Sequence, residues 1–131
     1  MKRNFSKIIL TLITFSLLFL IVCSRQAANL KTGVYTMQNS DAAAAPSISF
    51  DLEKNTFSFS FDLLSSYYSV GSIKINEDTV TCTTDDNKYT FKFNIQNSDS
   101  ISFIAEVFSS IETIDGKLAV PDGAIFKFQS K

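Results

Sequence analysis

Apolar residues recurring at every second position, short polar turns between them, and the small span of each unit predict an all-β domain of about eight antiparallel strands in an up-and-down meander. Side chains along a strand point alternately to opposite faces, so a period of two marks a half-buried strand. Turns this short join only antiparallel neighbours, since a parallel pair needs a crossover of about a dozen residues or more. A meander that is greasy on one face buries that face by curling into a barrel or, alternatively, by folding into a two-sheet β-sandwich. Closure is the expected outcome because it removes exposed strand edges.

The chain opens with a leader. Met1-Lys2-Arg3-Asn4-Phe5-Ser6-Lys7 is basic without acid, and Ile8 to Val22 is apolar except for Thr11, Thr14 and Ser16. These are the n-region and h-region of a bacterial signal peptide, expected to be helical over 1–22. The apolar run is shorter than the roughly 18 to 20 residues of a stable spanning helix, so export is expected rather than permanent insertion. A tether over 23–32 and a β-barrel domain over 33–131 follow.

Within the tether and the first part of the domain, Gly33-Val34-Tyr35-Thr36-Met37 reads as a strand. Ala42-Ala43-Ala44-Ala45-Pro46 reads as a loop, because proline removes a backbone donor and restricts the residue before it. Ile48, Phe50 and Leu52 then alternate with polar residues. After the turn at Glu53-Lys54-Asn55, Phe57, Phe59 and Phe61 do the same. Ile73 and Ile75 lead to the turn Asn76-Glu77-Asp78, and Val80 and Cys82 to the turn Asp85-Asp86-Asn87. Tyr89, Phe91, Phe93 and Ile95 precede Asn97-Ser98-Asp99, and Ile101, Phe103, Ala105 and Val107 follow it. Phe126 and Phe128 flank an outward Lys127 in the last strand.

Two connections break this rhythm. Leu63 to Gly71 carries Tyr67 and Tyr68, and Phe108 to Gly123 carries Ile111, Ile114, Leu118 and Val120. Long loops on a rigid sheet are common binding surfaces, which makes Tyr67, Tyr68, Ile111 and Ile114 the candidate loop binding surface. The alternative use of the apolar residues is to plug one end of the barrel.

The chemistry of the chain argues against catalysis. It has no histidine and no tryptophan, so a Ser-His or Cys-His nucleophilic pair is excluded and the commonest metal ligand is missing. Paired carboxylates could still do acid–base work, but the Asp and Glu residues fall mostly in turns or on the outward phase of strands. Asp85-Asp86-Asn87 and Asn97-Ser98-Asp99 suit turn geometry and lack the regular ligand spacing of a calcium loop. Cys82, in phase with Val80, is expected inside as a small apolar residue rather than as a reactive thiol. No catalytic residue, metal site or cofactor is expected.

With Lys2, Arg3 and Lys7 in the leader, nine of the twelve basic residues and all thirteen acids remain beyond it, a net charge of −4. A mildly acidic surface without clustered Lys and Arg excludes a nucleic-acid partner.

Leu20-Ile21-Val22-Cys23-Ser24 resembles the lipobox of bacterial lipoproteins, with Val22 where a small residue is usual. The resemblance implies that Cys23 is a lipid attachment site and the anchor to the cell membrane. Cys82 would then have no partner for a disulfide. Cleavage after Ser24 by the ordinary signal peptidase, releasing a secreted protein, is the alternative.

Gly33-Val34-Tyr35 resembles the Gly-x-Trp of the first lipocalin strand, with Tyr in place of the aromatic that closes the barrel floor. The stretch from Gly33 to Phe128, with its Phe57-Ser58-Phe59, Gly71-Ser72-Ile73 and Pro121-Asp122-Gly123 segments, resembles a small lipocalin-like module. Such modules are similar to those of clostridial-type lipoproteins and of the extracytoplasmic ends of membrane metallopeptidase antirepressors. The resemblance implies an accessory or sensing module.

Two functions follow as expectations. The first is a non-catalytic, surface-tethered extracytoplasmic domain whose loops meet an unidentified cell-envelope partner. The second is a lipocalin-like carrier of a small apolar ligand. Interior volume separates them, and the many inward phenylalanines predict a filled interior.

Overall fold

The computed structural model describes residues 29–42, 44–61, 67–106 and 119–130. The leader and Cys23 lie outside the described residues. Eight strands form in the order β1 (Gly33–Met37), β2 (Ser47–Asp51), β3 (Thr56–Ser60), β4 (Ser69–Asn76), β5 (Thr79–Thr84), β6 (Thr90–Asn97), β7 (Ser100–Ile104) and β8 (Ile125–Phe128). Each pairs antiparallel with the next, and β8 returns to β1 to close a barrel. The two-sheet arrangement is thereby excluded.

Register follows the alternation. Ile48 faces Phe59 and Phe50 faces Phe57 across β2 and β3, while Val80 faces Phe93 and Cys82 faces Phe91 across β5 and β6. A slip by one residue would turn these apolar sets outward and the serines and threonines inward. Residues in the left-handed backbone region turn the chain at Asn55 (φ 53°), Glu77 (φ 52°) and Asn87 (φ 56°). Asn adopts that region more readily than most residues. Gln96 is left unpaired where the β6–β7 register shifts between Ile95 and Asn97, a bulge whose extra amide accepts a hydrogen bond from the buried Ser100 hydroxyl at 3.0 Å.

Phenylalanine dominates the interior. Phe50, Phe57, Phe59, Phe91, Phe93, Phe103 and Phe126 are buried, and the half-buried Phe61 and Phe128 pack against them. Three of the rings meet across the barrel. Phe59 of β3, Phe93 of β6 and Phe126 of β8 stand 5.7, 6.0 and 5.5 Å apart by ring centroid, all edge to face. Strands β4 and β5 separate Phe59 from Phe93 along the wall, so that contact spans the interior. Edge-to-face geometry sets the positive rim of one ring against the negative face of the next and adds about 0.5 to 1.5 kcal/mol per pair beyond burial.

Gly71 marks the sharpest constraint on the wall. A Cβ there would stand 2.0 Å from the Thr83 carbonyl oxygen, so β4 and β5 approach as closely as they do only because this position has no side chain.

Several expectations are corrected at strand ends. Ile75, placed on the inward phase, is 39% exposed. β3 pairs with β4 only as far as Thr56 and Ser72, so β4 runs past its neighbour and Ile75 loses that wall of the barrel. Ala105 is exposed because β7 ends at Ile104, and Val107 lies outside the described residues. Leu52 falls in the β2–β3 turn, while Phe61 and Tyr89 flank strands instead of belonging to them, yet all three pack on the core. β4 begins at Ser69, inside the stretch read as a connection.

Candidate functional site

Up-and-down closure sorts the connections by end. Segments 38–46, 61–68, 85–89 and 105–124 leave from one end of the barrel, and the turns 52–55, 77–78 and 98–99 from the other. Both connections singled out in the sequence therefore belong to the same end. Residues 29–32 enter β1 at the opposite, tight-turn end.

At the tight-turn end Tyr35 closes the floor. Its ring is buried, with edge contacts to Phe50 at 5.7 Å and Phe128 at 5.3 Å. Its hydroxyl accepts a hydrogen bond from the Lys31 amide at 2.9 Å and donates one to the Ser98 carbonyl at 2.8 Å. Burial raises the phenol's pKa above its ordinary value. Gly33 sits two residues earlier at φ 140°, where a Cβ would stand 2.7 Å from the Phe128 ring. Lys31 adds an ion pair with Asp99 at 2.6 Å and lies 5.1 Å from the Phe128 ring centroid. Leu30 is buried, so the segment before β1 packs against the barrel.

At the loop end the structure separates two neighbours in sequence. Tyr67 turns toward the β5–β6 turn, where its hydroxyl stands 2.8 Å from both carboxylate oxygens of Asp86. The Thr84 hydroxyl donates to Asp86 Oδ1 at 2.7 Å and the Lys88 amide to the same oxygen at 3.0 Å. These bonds, led by that from Thr84, hold the Asp86 carboxyl below the usual carboxylate range. The Tyr67 and Tyr89 rings are 5.2 Å apart, and the Lys88 ammonium lies 5.1 Å from one centroid and 5.5 Å from the other. Tyr89 stacks in turn on Phe91 at 5.8 Å, which ties this cluster to the core. Tyr68 instead faces solvent at 72% exposure, its hydroxyl 3.4 Å from Ser58 Oγ on the outer wall.

Ile111 and Ile114 lie outside the described residues, so only Tyr67 and Tyr68 of the candidate loop surface can be placed. Within the same long connection Val120 is buried and Ala119 packs on the core, the plugging role set beside binding in the sequence. In the sequence Asp86 reads as a turn residue and Tyr89 as the start of a strand, and Lys88 carries no signal. Their partner Tyr67 comes from a separate connection, and no local pattern announces that pairing.

Among the described residues the loop end presents aromatic rings, hydroxyls and a few charges. Cys82 is buried, and desolvation raises its thiol well above the ordinary range, which keeps it neutral. Among the described residues no three His, Cys, Asp or Glu side chains converge as metal ligands, and no helix is long and apolar enough to cross a membrane. Comparison of the chain with family models, with curated proteins and with solved structures found no match.

Proposed function

We propose that the chain is a non-catalytic extracytoplasmic binding domain, tethered to the cell membrane through lipid on Cys23, whose barrel is a filled scaffold for the loop end. The carrying observation is the Phe59–Phe93–Phe126 triangle, which occupies the interior that a carrier would keep open for its ligand. An eight-stranded barrel is just wide enough to be filled by side chains or to hold one small ligand, so rings meeting across it weigh against the carrier.

Topology favours the same reading. A tether leading into β1 meets the barrel at the tight-turn end, where Tyr35 and Lys31 engage Ser98 and Asp99. The loop end of the barrel then faces away from the membrane toward a partner in the cell envelope. Resemblance to lipocalin-like modules of clostridial-type lipoproteins and metallopeptidase antirepressors agrees with an accessory or sensing role.

Intact-mass analysis of the membrane fraction tests the anchor. A chain beginning at an acylated Cys23 is expected, and Cys23→Ala should abolish that product. An unmodified chain beginning at Arg25 would contradict it and indicate secretion. Crosslinking from Tyr67 and from Ile75, at opposite ends, tests the partner face. Capture from the Tyr67 end is expected, and capture only from the Ile75 end would overturn the orientation.

A further inference from the structure

We propose that the outer wall of β2, β3 and β4, running from Tyr68 at the loop end toward the β2–β3 turn, is a binding face for a neutral glycan, distinct from the Tyr67–Asp86–Tyr89 cluster. Outward side chains form cross-strand rows here. Ser49 stands opposite Ser58 and Ser58 opposite Val70, while Asp51 stands opposite Thr56 and Thr56 opposite Ser72. Beside them the chain forms an open groove of about 460 Å³, lined by Ser49, Asp51, Thr56, Ser58, Val70 and Ser72 among others. That volume lies within the range of roughly 300 to 1,000 Å³ usual for small-molecule sites. Tyr68 extends the outward row of Val70 and Ser72 and is, among the described residues, the most exposed of the large apolar side chains, at 72%.

Each feature matches a property of a pyranose chain. A sugar ring presents C–H bonds on its face, which stack on an aromatic ring, and hydroxyls at its rim, which exchange hydrogen bonds with hydroxyl and carboxylate groups. Neighbouring strands lie about 4.8 Å apart, close to the length of one sugar along a β-linked chain, so a glycan crossing the strands meets a new side chain at each unit.

Charge selects the class. Among the described residues the ion pair on the face is that of Lys54 with Asp51 at 3.5 Å, and Asp85 lies at the margin. With Lys54 already paired to Asp51 and Asp85 at the margin, the face carries no excess of cations for a phosphate- or carboxylate-rich polymer, whereas a neutral polyol needs none. Serine and threonine hydroxyls also desolvate at little cost when their bonds to water are replaced by bonds to sugar.

The test is an amide chemical-shift titration of the full chain with cellotetraose and with tetra-N-acetylchitotetraose, using a tetragalacturonate as the anionic control. Shifts are expected at Ser49, Ser58, Tyr68 and Ser72 with at least one neutral oligosaccharide and not with the anionic one. Tyr68→Ala, at an exposed position, should weaken binding about tenfold, the scale of one lost ring contact. Ser49→Lys, which leaves the core untouched and places a long side chain on the face, should weaken it as well. No shift with either neutral ligand at about 10 mM, the weak limit of useful recognition, would overturn the proposal. So would shifts confined to the Tyr67–Asp86–Tyr89 cluster, or binding indifferent to both substitutions.

Discussion

The ring of Phe59 lies 5.7 Å from that of Phe93, although β4 and β5 stand between their strands on the barrel wall. Both are buried, and Phe126 completes the triangle from a third direction. Phe59 also meets the rings of Phe61 and Phe91, and Phe93 that of Phe103, so removing either ring strips several contacts that a rigid wall cannot restore.

Phe59→Ala and Phe93→Ala should therefore each destabilise the fold by about 3 to 5 kcal/mol, measured by denaturant unfolding. The double variant should cost less than the sum, because the two rings share one contact. A single-variant cost below about 1 kcal/mol, the range of ordinary surface changes, would mean that the rings do not fill the interior.

Gly71→Ala and Gly123→Ala make a matched pair. At Gly71 the new methyl meets backbone at 2.0 Å, whereas at Gly123 (φ 77°) it meets open space and bears only the left-handed strain. The second change should cost about 1 to 2 kcal/mol. The first should cost distinctly more, since a paired strand must move to admit it, and equal costs in thermal unfolding would contradict the close approach of β4 and β5.

Alternation made most of the fold legible. Phe57 and Phe59, or Phe91 and Phe93, announce both a strand and its inward face, and the short polar turns between such runs leave a meander as the only economical topology. What alternation does not carry is where pairing ends. Ile75 keeps the inward phase but outruns β3, and Ala105 lies beyond the last pair of β7. Ser69 opens β4 without an inward apolar residue to signal it, since the inward positions 69 and 71 are serine and glycine while Tyr68 and Val70 turn outward. The Tyr67–Asp86 bond joins two connections and depends on how the strands splay, which no spacing within one segment encodes.

That bond sets a pH dependence at the loop end. The Asp86 carboxyl titrates below its unfolded value, so its contribution is present above the ordinary carboxylate range and is lost as pH falls through the depressed value. Acidification should release Tyr67 from Asp86, seen as a shift of the Tyr67 ring resonances in that window, and Asp86→Asn should remove the transition. A Tyr67 ring indifferent to pH and to this substitution would contradict the contact.

Cys82 gives the opposite sign. Burial raises the folded thiol's pKa, so its contribution is complete below the unfolded thiol's value of about 8.5 and declines as the unfolded chain ionises above it. The native protein should resist thiol reagents at pH 8 and react once unfolded. Rapid native labelling at Cys82 would place it outside the core.

The proposal of a filled interior is most directly tested by comparing the mass of the purified full chain under native and denaturing conditions. A covalent lipid persists in both, whereas a ligand held in the barrel is lost on unfolding. The account predicts that the two masses agree. A small apolar molecule retained only in the native spectrum, at near-stoichiometric occupancy, would contradict it and make the barrel a carrier.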